Sequence, residues 1–332
     1  MANEHPLILS SRVRLARNLS DVPFRSRMTS QDADECIERV LSVLRDETDV
    51  YRYFPMRGIK ESQRQKMVES HLISPDLFKT DDRGAALVRD DEKVVLMVNE
   101  EDHLRIQGFG TGLDLAGAAK AAYETEDALQ RKLSFAFDEQ WGYLTACPTN
   151  TGTGMRASVM LHLPMLALLK QMGKVTQLAA KLGLTIRGIY GEGSEALGHV
   201  YQLSNQVTLG RTENEIIEAV TAVAVQIEEM EKNCREKACE KDPIAFEDQL
   251  ERSMGLMCFA RKMSVKEFFV HWSNLRIASA MGKSSVPLSL CDQMLKRAQR
   301  AHILFEAGRE LTEKEIDARR SDMVRSTLSI YH

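Results

Sequence analysis

The residues with the clearest chemical content form one run, Cys147-Pro148-Thr149-Asn150-Thr151-Gly152-Thr153-Gly154-Met155-Arg156-Ala157-Ser158. A strand is expected before it, Tyr143 to Cys147, and an apolar helix after it, Ser158 to Leu182. In that setting the glycines let the backbone approach an anion, the helix N-terminus presents unpaired N–H groups, and Arg156 adds a fork of donors. No Gly-Lys-Ser/Thr ends the run, so it is not a P-loop. A phosphate-binding turn and plain turn chemistry both fit Gly-Thr-Gly taken alone.

Four more arginines, Arg12, Arg14, Arg105 and Arg187, stand where elements are expected to meet. Arg12 and Arg14 share a face if the strand that begins at Leu7 to Leu9 continues through them. Two guanidinium groups on one face repel unless an anion lies between them, and a triphosphate suits their bidentate geometry. Ion pairing with the abundant Asp and Glu is the competing explanation. Asn99-Glu100-Glu101-Asp102-His103-Leu104-Arg105 follows the apolar run Val94 to Val98. Such an acidic cluster fits a solvated turn, a metal-binding rim or a catalytic site. A second acidic position lies in Arg187-Gly188-Ile189-Tyr190-Gly191-Glu192-Gly193. Two carboxylates brought together could hold a guanidinium and take its proton, a demanding task because the free group has a pKa above ~12.

The elements that must position these residues are mixed up to about residue 210. Helices are expected over Gln31 to Arg45, Glu61 to Ser70 and Leu113 to Ala136. A hairpin is expected from Gly84 to Val88 and Val94 to Val98, and strands from Thr185 to Tyr190 and His199 to Leu209. Beyond that the chain reads as all-helical, with capping boxes at Thr212/Glu215, Ser264/Glu267 and Thr312/Glu315 and a break at Lys241-Asp242-Pro243. The expected fold class is α+β, an antiparallel sheet flanked by helices and followed by a helical C-terminal region. The expected domains are residues 7–242 and 243–332.

A chain of 332 residues can bury a substantial core. Its net charge of -4 and pI near 6.1 give no bulk attraction for nucleic acid. The six cysteines show neither Cys-x-x-Cys spacing nor a flanking His cluster, which argues for a reducing compartment rather than a zinc site or a disulfide framework. No signal peptide or membrane span is expected, since the N-terminus lacks a basic segment followed by an apolar one and Met160 to Leu169 is too short to cross a bilayer. A cytoplasmic protein is the resulting expectation. Phe268, Phe269, Trp272 and Leu275 have the spacing of a core face, with a homodimer surface as the alternative.

Four motifs in order, Ser10-Ser11-Arg12-Val13-Arg14, Asn99 to Arg105, Cys147 to Ala157 and Arg187-Gly188-x-x-Gly191-Glu192, resemble the signatures of the phosphagen (guanidino) kinases. The resemblance implies an antiparallel sheet flanked by helices and transfer of the γ-phosphoryl of ATP, with Mg²⁺, to a guanidinium nitrogen. It implies Glu101 as catalytic base, Glu192 as the second carboxylate, and Cys147 as a thiolate against the guanidinium. The nucleotide set it implies is Ser10, Ser11, Arg12, Val13, Arg14, His71, Arg105, Arg156, Ala157, Ser158, Val159, Met160, Arg187, Gly188, Ile189, Tyr190, Gly191 and Glu192. His103 and His162 are read as structural, and no protein ligand to a metal is assigned.

Small-molecule members of that family carry a helical domain ahead of the Ser-Ser-Arg motif, which here begins at Ser10. Together with His71-Leu72-Ile73-Ser74-Pro75 and the helical region after residue 243, this resembles the bacterial protein-arginine kinase branch. The branch implies protein substrates with exposed arginines, among them a heat-shock repressor, and a zinc-finger activator and a Clp ATPase/protease as partners. Its phosphoarginine pocket, Arg-Asp-x-x-Arg-Ala, aligns with Ile316-Asp317-Ala318-Arg319-Arg320-Ser321. The leading Arg is Ile316 and the closing Ala is Ser321, so regulation through that pocket is not expected in its usual form; a solvated helix is the alternative. A nucleotide-binding adaptor without catalysis and a free-arginine kinase are the competing functions.

Overall fold

Polar and apolar residues alternate from Arg12 to Leu15, and the segment around them, Ile8–Arg17, is a strand, β1, inside an antiparallel sheet. The computed structural model describes residues 4–47, 50–79, 83–189 and 196–331. After β1 come α1 (Ser30–Leu44), β2 (Tyr51–Pro55), α2 (Glu61–Glu69), α3 (Pro75–Lys79), β3 (Ala85–Arg89), β4 (Val94–Val98), β5 (Leu104–Thr111) and α4 (Leu115–Gln130). A short hairpin of β6 (Phe137–Asp138) and β7 (Gly142–Tyr143) precedes β8 (Met155–His162), α5 (Pro164–Leu168), α6 (Met172–Lys181), β9 (Leu184–Gly188) and β10 (Val200–Asn205). Helices alone follow: α7 (Glu213–Lys241), α8 (Pro243–Phe259), α9 (Val265–Ala280), α10 (Leu288–Arg297), α11 (Arg300–Ala307) and α12 (Glu313–Leu328).

The larger sheet runs β2-β3-β4-β5-β1-β8-β10-β9 with every pair antiparallel. One face is buried under α1, α4 and α7, with Val13, Leu15, Ile106, Ala157 and Val159 in the shared core. On the other face α2 and α3 cover the β3–β4 end through Met67, Ile73 and Leu77. The C-terminal helices cover the opposite end by packing against Leu9, Met160 and Val200. Covered on both sides, β3 and β4 are buried at every position. Between the two covers a polar strip of the sheet remains accessible.

The three capping boxes expected in the helical region form with both reciprocal bonds, and Thr29 with Asp32 adds a fourth on α1. Asp242 caps α8, which begins at Pro243. Phe268, Phe269, Trp272 and Leu275 are buried within the chain, and Trp272 Nε1 donates to Cys291 O at 2.8 Å. Among the described residues no helix is long and apolar enough to cross a membrane.

Two expectations are overturned. The segment from Ser158 to Leu182 is not one helix: Met155–His162 is strand β8, and α5 and α6 follow. Ala157, Val159 and Leu161 alternate with Ser158, Met160 and His162, a period of two hidden inside a run of apolar residues. Pro164 then allows a helix to begin only after the strand. The strand expected at Tyr143 to Cys147 is confined to Gly142–Tyr143, and the chain continues as a loop with one 3₁₀ turn at Pro148–Asn150.

Candidate active site

β1 aligns Arg14 with Gln107 of β5 on one side and with Arg156 of β8 on the other, and Arg12 with Phe109 and Ser158. Paired residues share a face and residues two apart remain on it, so Arg105 joins the same surface. β10 extends the register from Met160 through Gln202 to Arg187. Arg12, Arg14, Arg105, Arg156 and Arg187 therefore line one strip, and its anion-binding capacity comes from side chains on four strands, β1, β5, β8 and β9. The helix N-terminus expected after Arg156 does not exist, because Arg156 is itself inside β8.

Among the described residues, part of this charge is met by neighbouring side chains. Arg105 donates from Nη1 to Glu100 Oε1 at 2.7 Å and from Nη2 to Glu101 Oε2 at 3.1 Å. Arg156 Nη2 donates to Ser204 Oγ at 3.1 Å. The Nε atoms of Arg14 and Arg156 are buried with no hydrogen-bond partner. Burial, then the charges of Arg12, Arg105 and Arg156, holds the pKa of Arg14 well below its usual value; burial, then Arg187 and Arg105, lowers that of Arg156. Orphaned donors in a cationic strip are what a polyphosphate would satisfy. His71 borders the strip in a left-handed conformation, φ 59°. Burial, then Arg12 and Lys296, pushes its pKa down to about 4, so it is neutral at pH 7 and adds no further cation.

The turn between β4 and β5 presents the carboxylates. Asn99, with φ 59°, closes it by donating its N–H to His103 O at 2.8 Å. Glu100 turns inward and accepts from Arg105, from Ser74 Oγ and from the Glu101 N–H. Glu101 turns outward with 43% of its side chain exposed. Burial raises its pKa; Arg105 opposes the rise, while Asp102, Glu100 and Asp76 add to it. A carboxylate poised above the ordinary range suits proton uptake.

Asn150 Nδ2 lies 3.4 Å from Glu101 Oε2, which joins the Cys147 loop to this turn. Cys147 is partly exposed, with Sγ 3.0 Å from Thr149 Oγ1. The two glycines seat the loop rather than open it to an anion. At Gly152, φ 112°, a Cβ would meet Thr208 O at 2.7 Å; at Gly154, φ 63°, it would meet Arg17 Nη1 at 2.6 Å. Arg17 is a residue that the motif reading passes over. It is fully buried, donates to Glu126 Oε1, Ala16 O and Thr153 O, and lies 3.5 Å from the Tyr143 ring centroid. Its signal is parity: position 17 falls on the Val13–Leu15 face, where an unpaired charge could not stay.

Strand alternation divides the nucleotide set. Ser10, Arg12, Arg14, Arg156, Ser158 and Met160 lie on the strip side. Val13, Ala157 and Val159 are buried in the core on the opposite face. Ser11 is buried there too, its Oγ donating to Gly112 O at 2.8 Å and accepting from Asp114 N at 2.9 Å. Gly188 ends β9, and Ile189 N donates to Val200 O at 2.9 Å. Tyr190, Gly191 and Glu192 lie outside the described residues. His103 accepts from Leu19 N at 3.0 Å and bonds Pro23 O at 2.9 Å, and His162 bonds Ser273 Oγ at 2.8 Å, so both rings serve packing.

The segment Ile316 to Ser321 is a fastener inside the helical region. Ile316 is buried with Ile303, Leu304 and Leu311. Arg320, 2% exposed, donates to Ala298 O, Met263 O and Asp317 Oδ1, each at 2.8 Å. Ser321 Oγ donates to Ala260 O at 2.6 Å. These bonds tie α12 to the ends of α8 and α10, so the helix face is buried rather than solvated.

Residues 32–234 match the family described as ATP:guanido phosphotransferase, C-terminal catalytic domain, and residues 243–332 match the Protein-arginine kinase McsB C-terminal domain. The chain is 41% identical over 327 residues to a protein-arginine kinase of Caldanaerobacter subterraneus subsp. tengcongensis, covering 97% of each. It is 41% identical over 329 residues to that of Halothermothrix orenii, covering 98% of this chain and 94% of the relative. Among solved structures, the duplicated taurocyamine kinase of Schistosoma mansoni with bound transition-state analogue components superposes with a TM-score of 0.61 at 28% identity, over 68% of this chain and 33% of that one. Lombricine kinase shares the fold, with a TM-score of 0.60 at 21% identity over 70% of this chain and 68% of its own. An antiparallel sheet with an arginine strip, a carboxylate turn and this full-length similarity place the chain in the ATP:guanido phosphotransferase family, in its protein-arginine kinase branch.

Proposed function

We propose that the chain transfers the γ-phosphoryl group of MgATP to arginine side chains of protein substrates. The observation that carries this reading is the strip of Arg12, Arg14, Arg105, Arg156 and Arg187, with two buried, unpaired Nε atoms, ending at the half-exposed Glu101. The arginines bind the phosphates and hold the moving group in line, which is most of what phosphoryl transfer asks of a protein. Mg²⁺ bound to the triphosphate would supply charge neutralisation there, alongside the arginines that hold the phosphates.

Glu101 accepts the proton that the guanidinium loses as its nitrogen attacks phosphorus. Its raised pKa strengthens it as a base, and Asn150 holds the oxygen that faces Arg105. Cys147, in the same loop as Asn150, contacts the guanidinium by family resemblance, as does Glu192, the second carboxylate. Residues 7–242 carry the reaction, and residues 243–332 flank the strip and meet the protein substrate.

Glu101→Ala tests the assignment. Transfer is lost while nucleotide binding, read by the thermal shift with MgATP, persists. Transfer retained in this variant removes Glu101 as the base.

A further inference from the structure

We infer that the buried Asn18–Asp102 pair is a positioning device that sets the placement of Glu101 relative to the Cys147 loop. Both residues are almost completely buried, at 1% and 0% exposure. Asp102 Oδ1 accepts from Asn18 Nδ2 at 2.7 Å and from the Ala146 N–H at 2.7 Å. Asn18 Nδ2 also donates to Leu144 O at 3.0 Å, and Asn18 Oδ1 accepts from His103 N at 2.8 Å. One pair of side chains thus joins the end of β1, the carboxylate turn and the start of the loop. Asp102 follows Glu101, and Ala146 precedes Cys147, so each contact is one residue from a group placed at the chemistry.

The two ends of the loop are joined to each other by the Tyr143–Gly152 bridge and by Thr145 Oγ1, 3.1 Å from Thr151 Oγ1, and each is also tied to its surroundings. Thr208 Oγ1 donates to Thr149 O and Thr151 O, and Arg17 Nη1 donates to Thr153 O, which fixes the far end. At the near end the side-chain ties to Leu144 and Ala146 both come from the Asn18–Asp102 pair. Loss of that pair removes the ties of Leu144 to Asn18 and of Ala146 to Asp102, which loosens the Cys147 side of the site and leaves the arginine strip in place. A shift of about 1 Å in reacting groups can cost ~10²-fold in rate.

The kinetic arm rests on the transfer activity proposed above; a second arm does not. Asp102→Ala is expected to lower kcat by ~10²-fold while the KM for MgATP changes by less than ~3-fold. Asp102→Asn retains an oxygen able to accept both bonds and is expected to keep kcat within about 5-fold of wild type. Iodoacetamide labelling of Cys147, read by peptide mass spectrometry, needs no turnover: its rate changes severalfold in Asp102→Ala and stays near wild type in Asp102→Asn. Should Asp102→Ala not fold, Asn18→Ala, which leaves the carboxylate on Ala146, is expected to give a smaller change of the same kind. A folded alanine variant with wild-type kcat and unchanged labelling overturns the inference, as does equal loss in Asp102→Ala and Asp102→Asn. Absence of transfer in the wild type would refute the proposed function, and the labelling comparison would still decide this one.

Discussion

Arg14→Met separates what the arginine strip costs the fold from what it does for the ligand. Arg14 faces the charges of Arg12, Arg105 and Arg156, and its nearest opposing carboxylate, Glu100, is already bonded to Arg105. Methionine keeps an unbranched apolar stem and removes both the charge and the orphaned Nε. Replacing buried charged groups by apolar ones often stabilises by ~1–4 kcal/mol, and the accessible edge of the strip argues for the lower half, about 1–2 kcal/mol. At roughly 2–4 °C per kcal/mol for chains somewhat shorter than this one, Tm without nucleotide should rise by about 2–8 °C. Each charge-assisted hydrogen bond to phosphate contributes ~1.5–3 kcal/mol, so losing one or two weakens MgATP binding by ~10- to 10⁴-fold. Wild type at a hundredfold excess over Kd should gain about 2.7 kcal/mol from the ligand, and the variant between about 1.4 kcal/mol, at tenfold weaker binding, and almost none. The assay is thermal unfolding of both proteins with and without MgATP, beside a transfer assay in which the variant is nearly inactive. A lower Tm for Arg14→Met without nucleotide, or an undiminished shift on adding it, refutes the reasoning.

Two further outcomes concern pH. Because the pKa of Glu101 is raised, the acidic limb of kcat/KM should lie above the ordinary glutamate value, and Arg105→Gln should move it higher, since Arg105 opposes the rise; a limb unmoved by that substitution contradicts the electrostatic account. His71 and His302 are both pushed down to about 4, chiefly by burial, and Ser70 Oγ lies 2.9 Å from His302 Nε2 where α2 meets α11. Their unfolded values are near ~6.5, so the unfolded chain binds more protons between about pH 4 and 6.5 and stability falls as pH is lowered through that window, by up to ~3 kcal/mol per histidine. Urea unfolding at pH 7.5 and 5 measures this, and His302→Gln should reduce the difference; an equal pH dependence in that variant speaks against it.

Local patterns made part of this site legible. Arg12 and Arg14 follow from the two-residue period of one strand, and the helical half follows from its capping boxes and Pro243. β8 escapes that reading because a short apolar run satisfies strand and helix alike, and only its pairing with β1 and β10 decides between them. The role of the glycines is also invisible locally: Gly152 and Gly154 are required by Thr208 and Arg17, which approach from other strands and loops. Glu100 and Asp102 sit inside a recognisable acidic motif, yet their inward orientation depends on Arg105, Ser74, Asn18 and Ala146. Sequence spacing therefore identifies the reacting groups more readily than the groups that hold them.

The most direct measurement is transfer of γ-labelled phosphate from MgATP to an unfolded arginine-rich protein and, in parallel, to free arginine, with each product tested for acid lability. Acid-labile label on the protein and none on the amino acid is the predicted result. Acid-stable label on the protein, or label on free arginine alone, would contradict a protein-arginine kinase.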